Sequence, residues 1–156
     1  MLPLSASLKA ISTADLIVMG PGSLYTSIIP NLLVPGIVEA ICASKAPKVY
    51  ISNVMTQSGE TDSYTAAQHL QSIIKHGGKE CIDHILVHGS PISEQVKENY
   101  ANEGAYPVEI NKDELKQIGV TVICDQFAIE KEGKLRHDAI KVSEALLRTT
   151  ERAIKQ

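Results

Sequence analysis

The chain has 156 residues, of which 44% are hydrophobic, and a net charge of −3 at pH 7. This length supports one domain with a core of its own, and this hydrophobic fraction excludes an intrinsically disordered chain. Positive and negative side chains are interspersed without a basic block, which excludes an extended nucleic-acid-binding surface. Because no apolar run approaches the roughly 18 residues of a membrane-spanning helix, we expect neither nucleic acid nor a membrane among the partners.

Three cysteines, Cys42, Cys81 and Cys124, indicate a reducing compartment. They are odd in number, far apart along the chain and set in apolar surroundings. This pattern favours buried, reduced thiols over a disulfide framework or a zinc site. The N-terminal segment also lacks the basic start and the long apolar stretch of a secretory signal. We therefore predict a cytoplasmic protein with no resident cofactor or metal.

Four short, continuous apolar runs predict strands that are buried on both faces of a sheet. These runs cover residues 15–19, 48–52, 84–88 and 120–124. Residues 107–110 are a candidate for a short fifth strand. Apolar residues at helical spacing predict helices over residues 5–11, 34–44, 64–76, 93–103, 112–118 and 138–155. This alternation predicts a Rossmann-like, three-layer αβα fold with a mainly parallel sheet, as a single domain over residues 1–156.

The sequence GPGSLYTS, which follows the first predicted strand, is rich in glycine and hydroxyl groups. In open parallel sheets, ligands bind where the strands end. Gly20 and Gly22 would let the backbone approach an anion closely, and the N-terminus of a following helix would direct N–H groups at it. Ser23, Tyr25 and Thr26 are the side chains that we expect to face such a ligand. The stretch lacks the lysine of a P-loop, so a tight turn with a helix cap explains it equally well.

The sequence NVMTQSGETD, which follows the second predicted strand, concentrates amide, hydroxyl and carboxyl groups. Asn53 and Gln57 are suited to hydrogen bonds with a base or a sugar, and Thr56 is suited to a phosphate. Glu60 and Asp62 could hold a metal or a sugar hydroxyl. For Asp62 we favour the alternative, in which its carboxylate caps the next helix.

The histidines of the chain give only weak signals for a functional site. His84 and His88 lie four residues apart on the third predicted strand and share one face. No third ligand is close to them in the sequence, so a structural pair is favoured over a metal site. His69 falls in a predicted helix, where we expect it to face solvent. Since no nucleophile elbow or Ser/His/Asp arrangement is recognisable, we predict no catalytic residue.

The sequence Arg136-His137-Asp138 lies at the start of the last predicted helix. An arginine there suits a phosphate, because its planar guanidinium binds two oxygens at once. The alternative is a surface arginine beside a helix-capping Asp138. Tyr100 also has two interpretations, a ring stacked on a base or ribose and a ring packed on the end of a helix.

Three motifs together resemble one known family. They are ADLIVMGPGSLYTSIIPNLLVPGI (residues 14–37), SNVMTQSGETDSYTAAQHL (residues 52–70), and EGAYPV followed by RHD. In this order they are similar to the YvcK/CofD-like family, known also as the gluconeogenesis factor family. The motifs are closer to the YvcK branch than to the 2-phospho-lactate transferase branch.

This resemblance implies a nucleotide site at the carboxyl edge of the sheet. The YvcK branch implies a UDP-sugar, notably UDP-N-acetylglucosamine, and a regulatory role in growth on gluconeogenic carbon sources and in cell shape. Tyr100 and Arg136 match the tyrosine and the arginine with which that branch contacts the UDP-sugar. The transferase branch implies the alternative, an enzyme that joins a phosphorylated acid to a deazaflavin acceptor with magnesium.

Two departures from the family pattern bear on these expectations. Family members begin with a strand and a GGGTG-type loop, which this sequence lacks, so it resembles the C-terminal portion of a longer relative. We therefore expect an exposed sheet edge or apolar face, and a homo-oligomer or low stability of the chain alone. A folded domain that has lost ligand binding is a further alternative. Some relatives also have a phosphorylatable threonine after RHD, where Ala139 stands here.

Overall fold

Four parallel strands form the centre of the structure and lie in the order β1-β2-β3-β4. The computed structural model describes residues 5–154. The strands are β1 (Ile17–Met19), β2 (Lys48–Ile51), β3 (His84–His88) and β4 (Thr121–Asp125). Neighbouring strands pair in parallel throughout this sheet, for example with Leu86 opposite Ile123. The predicted parallel sheet is confirmed.

Helices precede, connect and follow these strands. A wide, π-type helical turn over Leu24–Ile28 leads directly into α2, and a short 3₁₀ turn over Lys79–Cys81 follows α4. The α-helices of the described chain are α1 (Ser5–Ser12), α2 (Ile29–Leu32), α3 (Ile37–Ala43), α4 (Ala66–Gly77), α5 (Glu94–Ala101), α6 (Lys112–Ile118) and α7 (Ala139–Ile154). The π-type turn with α2 was not predicted, because its apolar residues follow the glycine-rich loop without a separate capping signal.

Side chains alternate between the two faces of the sheet and pack into two separate cores. Tyr50 and Ile85 belong to the larger core, which helices α2, α3, α4 and α6 cover. Val49 and Leu86 belong to the second core, where Val142 of α7 packs against them. Helices therefore cover both faces, and the predicted three-layer αβα architecture is confirmed.

Helix α4 shows how local sequence sets an element boundary. The Thr65 side chain accepts a hydrogen bond from the backbone N–H of Gln68, and the Gln68 side chain accepts one from the N–H of Thr65. This capping box begins the helix at Ala66, two residues later than predicted from the apolar spacing. Gly78 ends it with φ of +81°, a conformation that glycine adopts without strain.

His69 lies on the buried face of α4, so the prediction that it faces solvent was wrong. Its side chain is 0% exposed, like those of Leu70 and Ile73 on the same helix. Its Nδ1–H donates to the carbonyl of Thr65 at 2.9 Å, and its ring meets the Tyr64 ring edge-on at a centroid distance of 5.5 Å. Burial lowers the pKa of His69, because it disfavours the charged ring.

Residues 107–110, which the sequence analysis gives as a candidate fifth strand, do not form a strand. Pro107 makes a single antiparallel bridge with Met55, and the N–H of Val108 donates to the carbonyl of Val54 at 2.9 Å. Proline has no N–H to continue a ladder, which limits this pairing to a short contact. The segment instead braces the loop that follows β2.

A β-hairpin that was not predicted follows β4. It consists of β5 (Ala128–Lys131) and β6 (Lys134–His137), which pair in antiparallel fashion. Glu132 and Gly133 form the two-residue turn with φ of +53° and +70°, as a type I′ turn requires. Arg136 therefore lies on a strand, and its predicted position at the start of the last helix was wrong.

Asp138 separates the hairpin from α7. Its Oδ1 accepts hydrogen bonds from the backbone N–H groups of Ile140 at 3.1 Å and Lys141 at 3.2 Å. This contact is the helix cap that the sequence analysis gave as the alternative role of Asp138.

Within residues 5–154, no single helix is long and apolar enough to cross a membrane. One bent pair, Leu24–Leu32 and Ile37–Ala43, with an angle of 77° between its parts, meets the criteria of length and composition alone. Leu24 and Ile41 of this pair are buried in the larger core.

The edge of the sheet predicts self-association or low stability of the isolated chain. Strand β1 is an outer strand of the described sheet, and Val18 on it is 39% exposed. Light scattering over a concentration series, with a thermal melt, tests this. We expect Val18→Lys to reduce any association, because a charge on an edge strand opposes pairing with another chain. Gln71→Lys on the exposed face of α4 is the matched control, because it adds the same charge away from both sheet edges. A monodisperse monomer with one cooperative melting transition would contradict the prediction.

Candidate functional site

A cleft of about 330 Å³ opens beyond the carboxyl ends of β1 and β2. Its three walls are the loop after β1, the loop after β2, and the hairpin with α5. This volume is at the lower end of the range of about 300–1,000 Å³ that is typical of ligand pockets. The residues that line it are Pro21, Gly22, Ser23, Asn53, Val54, Met55, Gln57, Tyr100, Leu135, Arg136 and His137.

The first wall is the loop after β1, whose shape depends on glycine. Gly20 has φ of +87°, and a Cβ placed on it would lie 3.0 Å from the carbonyl oxygen of Ile51. Only glycine therefore lets this loop lie so close to the end of β2. The Ser23 carbonyl accepts the N–H groups of Ser27 and Ile28, whereas the Ser23 side chain makes no bond to the following turn. That hydroxyl is left to face the cleft.

A row of three polar side chains crosses from the first wall to the second. Gln57 donates from Nε2 to Ser23 Oγ at 2.7 Å, and Asn53 donates from Nδ2 to Gln57 Oε1 at 3.4 Å. The Oδ1 atom of Asn53 is buried and accepts no hydrogen bond from residues 5–154. A buried acceptor without a donor costs about 1–3 kcal/mol, so the row ends in one polar atom that the fold leaves unsatisfied.

The second wall, the loop after β2, is held by threonines. Thr56 is buried, and its Oγ1 accepts the N–H of Tyr106 at 2.9 Å. Thr61 is fully buried, and its Oγ1 accepts the N–H of Gln57 at 2.9 Å. Both hydroxyls therefore bind backbone and fix the loop, and Thr56 does not line the cleft.

The third wall is the hairpin, which helix α5 holds in place. Glu130 accepts hydrogen bonds from both the N–H and the hydroxyl of Ser93, each at 2.7 Å. These bonds lower the pKa of the Glu130 carboxyl. The Tyr100 hydroxyl accepts the N–H of Leu135 at 3.1 Å, and Asn99 donates to the carbonyl of Gly133 at 3.0 Å. The adjacent residue Arg136 is thereby brought to the cleft.

Two histidines attach the hairpin to the ends of the parallel strands. His88 Nδ1 accepts the N–H of Ala128 at 3.0 Å, and His137 Nε2 donates to the carbonyl of Ser52 at 3.3 Å. Burial and the nearby His137 and Lys141 lower the pKa of His88. Burial also lowers the pKa of His137, although its bond to Ser52 partly opposes this effect. Among residues 5–154, no three His, Cys, Asp or Glu side chains are grouped to hold a metal ion.

Three further sequence-selected side chains lie away from the cleft. Tyr25 and Thr26 are exposed on the π-type turn, and the Tyr25 hydroxyl bonds to Ser72 at 3.2 Å and to Tyr64 at 2.9 Å. The bonds to Ser72 and Tyr64 lower the pKa of Tyr25. Glu60 accepts the N–H of Tyr25 at 2.7 Å, so its carboxylate caps this turn.

The structure thus separates the ten predicted ligand-facing residues into two groups. Those that line the cleft are Gly22, Ser23, Asn53, Gln57, Tyr100 and Arg136. Those that do not are Gly20, Tyr25, Thr26 and Thr56. Sequence reasoning missed His137 and Leu135 as lining residues. The one local signal for the hairpin is Glu132-Gly133, in which glycine supplies the second position of a two-residue turn, and the flanking residues show no regular alternation of apolar and polar side chains.

A parallel sheet with helices on both faces and a polar cleft at its carboxyl edge is the architecture of Rossmann-like α/β proteins. Comparisons with known proteins identify the family within this class. The family model described as 2-phospho-L-lactate transferase CofD matches residues 2–128. The chain therefore belongs to the CofD family. The resemblance inferred from the three motifs is confirmed.

Curated relatives and solved structures refine this placement. The chain is 60% identical to the gluconeogenesis factor of Halalkalibacterium halodurans and 49% identical to that of Bacillus subtilis, over 93% of this chain in both cases. It spans only 45% and 46% of those two proteins. A crystal structure of a Bacillus halodurans protein matches 94% of this chain and 47% of that protein, with a TM-score of 0.92 and 60% identity.

One buried and two half-buried histidines predict that acid destabilises the chain. His69, His88 and His137 all have folded-state pKa values below the ordinary 6.5. As pH falls below 6.5, the unfolded chain takes up protons first, so the free energy of unfolding falls until the folded-state values are passed. Urea unfolding between about pH 8 and pH 5 measures this slope. We expect His88→Asn to flatten it. An unfolding free energy that is constant across this range would contradict the prediction.

The hydroxyl of Tyr100 predicts a specific loss of stability. Tyr100→Phe keeps the ring but leaves the N–H of Leu135 without its acceptor, so we expect the free energy of unfolding to fall by about 1–3 kcal/mol. Urea denaturation measures this change. Tyr106→Phe is the control, because Tyr106 is 55% exposed and its replacement is expected to cost less than about 0.5 kcal/mol. Equal losses in both variants would count against the role assigned to the Tyr100 hydroxyl.

Proposed function

We propose that this chain carries the ligand-recognition part of a gluconeogenesis factor, and that its cleft binds a UDP-sugar, UDP-N-acetylglucosamine in particular. One observation carries this proposal. The polar row of Ser23, Gln57 and Asn53 ends in a buried acceptor without a donor and faces Arg136 across the same cleft. An arrangement of this kind suits a ligand with anionic oxygens at one end and N–H or hydroxyl donors at the other.

Each wall has a separate part in this binding. Arg136 pairs with the diphosphate, whose oxygens match the two-pronged geometry of a guanidinium. Gly22 lets the backbone approach the phosphates closely. Asn53 and Gln57 bind the uracil or the sugar through their amides. Tyr100 adds the surface of its ring, because its hydroxyl is already bonded to the backbone of Leu135.

The names of the relatives favour a binding protein over a transferase. The family model takes its description from a 2-phospho-L-lactate transferase, whereas relatives that are 60% and 49% identical are gluconeogenesis factors. The wider role that we propose is regulatory and cytoplasmic, in growth on gluconeogenic carbon sources and in cell shape. It concerns the whole protein, because this chain spans less than half of those relatives.

Calorimetric titration of the 156-residue chain with UDP-N-acetylglucosamine, UDP-glucose and GDP tests the proposal. We expect micromolar binding that is selective for UDP-sugars. Arg136→Ala removes charge-assisted hydrogen bonds to phosphate, worth about 1.5–3 kcal/mol, so its affinity should fall roughly 10- to 100-fold. Lys131→Ala is the matched control, since Lys131 carries the same charge on the same hairpin but lies outside the cleft.

Three results would contradict this proposal in different ways. An unchanged affinity of Arg136→Ala, with its thermal melt intact, would reject the role of that arginine. No binding of any of the three nucleotides would reject ligand recognition by this chain. Formation of a phosphodiester product with a deazaflavin acceptor would establish the transferase instead.

A further inference from the structure

Two cysteines that are far apart in the sequence lie in direct contact in the fold. Cys42 is near the end of α3, and Cys81 ends the 3₁₀ turn after α4. Their sulfurs are 2.8 Å apart. A disulfide requires an S–S distance of about 2.05 Å, so bond formation needs a closure of less than about 1 Å. We propose that Cys42 and Cys81 form an oxidisable dithiol, which a hydroperoxide converts into an intramolecular disulfide.

The surroundings of the two thiols set the order in which they react. Cys42 is half-buried, whereas Cys81 is fully buried. Burial and the neighbouring Cys42 raise the pKa of the Cys81 thiol to about 12, so it stays protonated at neutral pH. A thiol reacts as its thiolate and only where an oxidant can reach it. Cys42 is therefore the sulfur that meets the oxidant, and Cys81 is the sulfur that resolves the product.

The carbonyl of Gly77 holds both thiols in one place. Cys81 Sγ lies 2.8 Å from this oxygen, and Cys42 Sγ lies 3.6 Å from it. A Cβ on Gly77 would lie 3.4 Å from Cys81 Sγ, which is an ordinary contact distance. The shared carbonyl acceptor therefore keeps the two sulfurs against each other.

The reaction balances with one equivalent of hydroperoxide. The Cys42 thiol loses its proton and the thiolate attacks the peroxide, so that an S–O bond forms and the O–O bond breaks. Cys42 becomes a sulfenic acid, and the departing oxygen takes up the proton from the Cys42 thiol and leaves as water or an alcohol. The Cys81 sulfur then bonds to the Cys42 sulfur and displaces the hydroxyl group, which leaves as water with the proton of the Cys81 thiol. Two thiols are oxidised to one disulfide, and one peroxide is reduced.

The position of the bond predicts its effect on the fold. It would join α3 to the end of α4, and so close a loop between residues 42 and 81. A cross-link of this span restricts the unfolded chain. We expect the melting temperature to rise by an amount on the order of 10 °C, and dithiothreitol to reverse the rise.

The test oxidises the 156-residue chain with equimolar hydrogen peroxide. The protein is then denatured and alkylated with N-ethylmaleimide, and mass spectrometry measures the intact mass and the unreduced peptides. We expect the wild-type chain to lose the mass of two hydrogen atoms, to keep one alkylated thiol at Cys124, and to yield a peptide that links Cys42 to Cys81. Cys124→Ser is the matched control and should form the same link. Cys42→Ser should keep both of its remaining thiols alkylated.

Several outcomes would overturn the proposal. They are full alkylation of all three cysteines after oxidation, a link that includes Cys124, and a disulfide between two chains on a non-reducing gel. A Cys42–Cys81 link that leaves the melting temperature unchanged would overturn the bracing effect on α3 and α4.

Discussion

The attachment of the hairpin to helix α5 is the interaction on which the cleft depends. Two walls of the cleft are loops at the ends of parallel strands, and the topology of the sheet places them together in any such fold. The topology of the sheet does not fix the position of the third wall, because β5 and β6 do not pair with the parallel sheet. Hydrogen bonds from Ser93 to Glu130 and from Leu135 to Tyr100 fix it instead. Arg136, which is the one arginine among the described residues that line the cleft, is therefore positioned by contacts that are distant in sequence.

The strands and most helices could be predicted because their signals are local. Continuous apolar runs form all four parallel strands, and Gly78 ends α4. The predicted burial on both faces holds for β2 and the middle of β3, but not for the outer strands β1 and β4, which have a neighbouring strand on one side only. The hairpin could not be predicted in the same way. The exposed face of the hairpin has four strand residues, and three of them are charged. The turn is Glu132-Gly133 in place of the more frequent Asn-Gly. Because the hairpin was not predicted, the sequence analysis placed Arg136 at the start of a helix.

The candidate site shows the same division between local and distant causes. Ser23, Asn53 and Gln57 follow directly from the rule that ligands bind at strand ends. Thr56 belongs to the same loop and has an equally suitable hydroxyl, but its partner is the N–H of Tyr106, fifty residues away. The burial of His69 likewise depends on which face of α4 meets the sheet. The cleft also differs from a strongly charged phosphate site, because neutral amides and a hydroxyl form its row of polar groups.

The row from Asn53 through Gln57 to Ser23 has a direction. Each amide donates toward Ser23, so the hydroxyl of Ser23 has accepted one hydrogen bond and retains its own hydrogen for a further acceptor. At the opposite end, Asn53 retains the lone pairs of Oδ1 and the second hydrogen of Nδ2. The two ends of the row therefore differ in what they offer a ligand. Under the proposed function, the free hydrogen of Ser23 favours phosphate oxygens beside the glycine-rich loop.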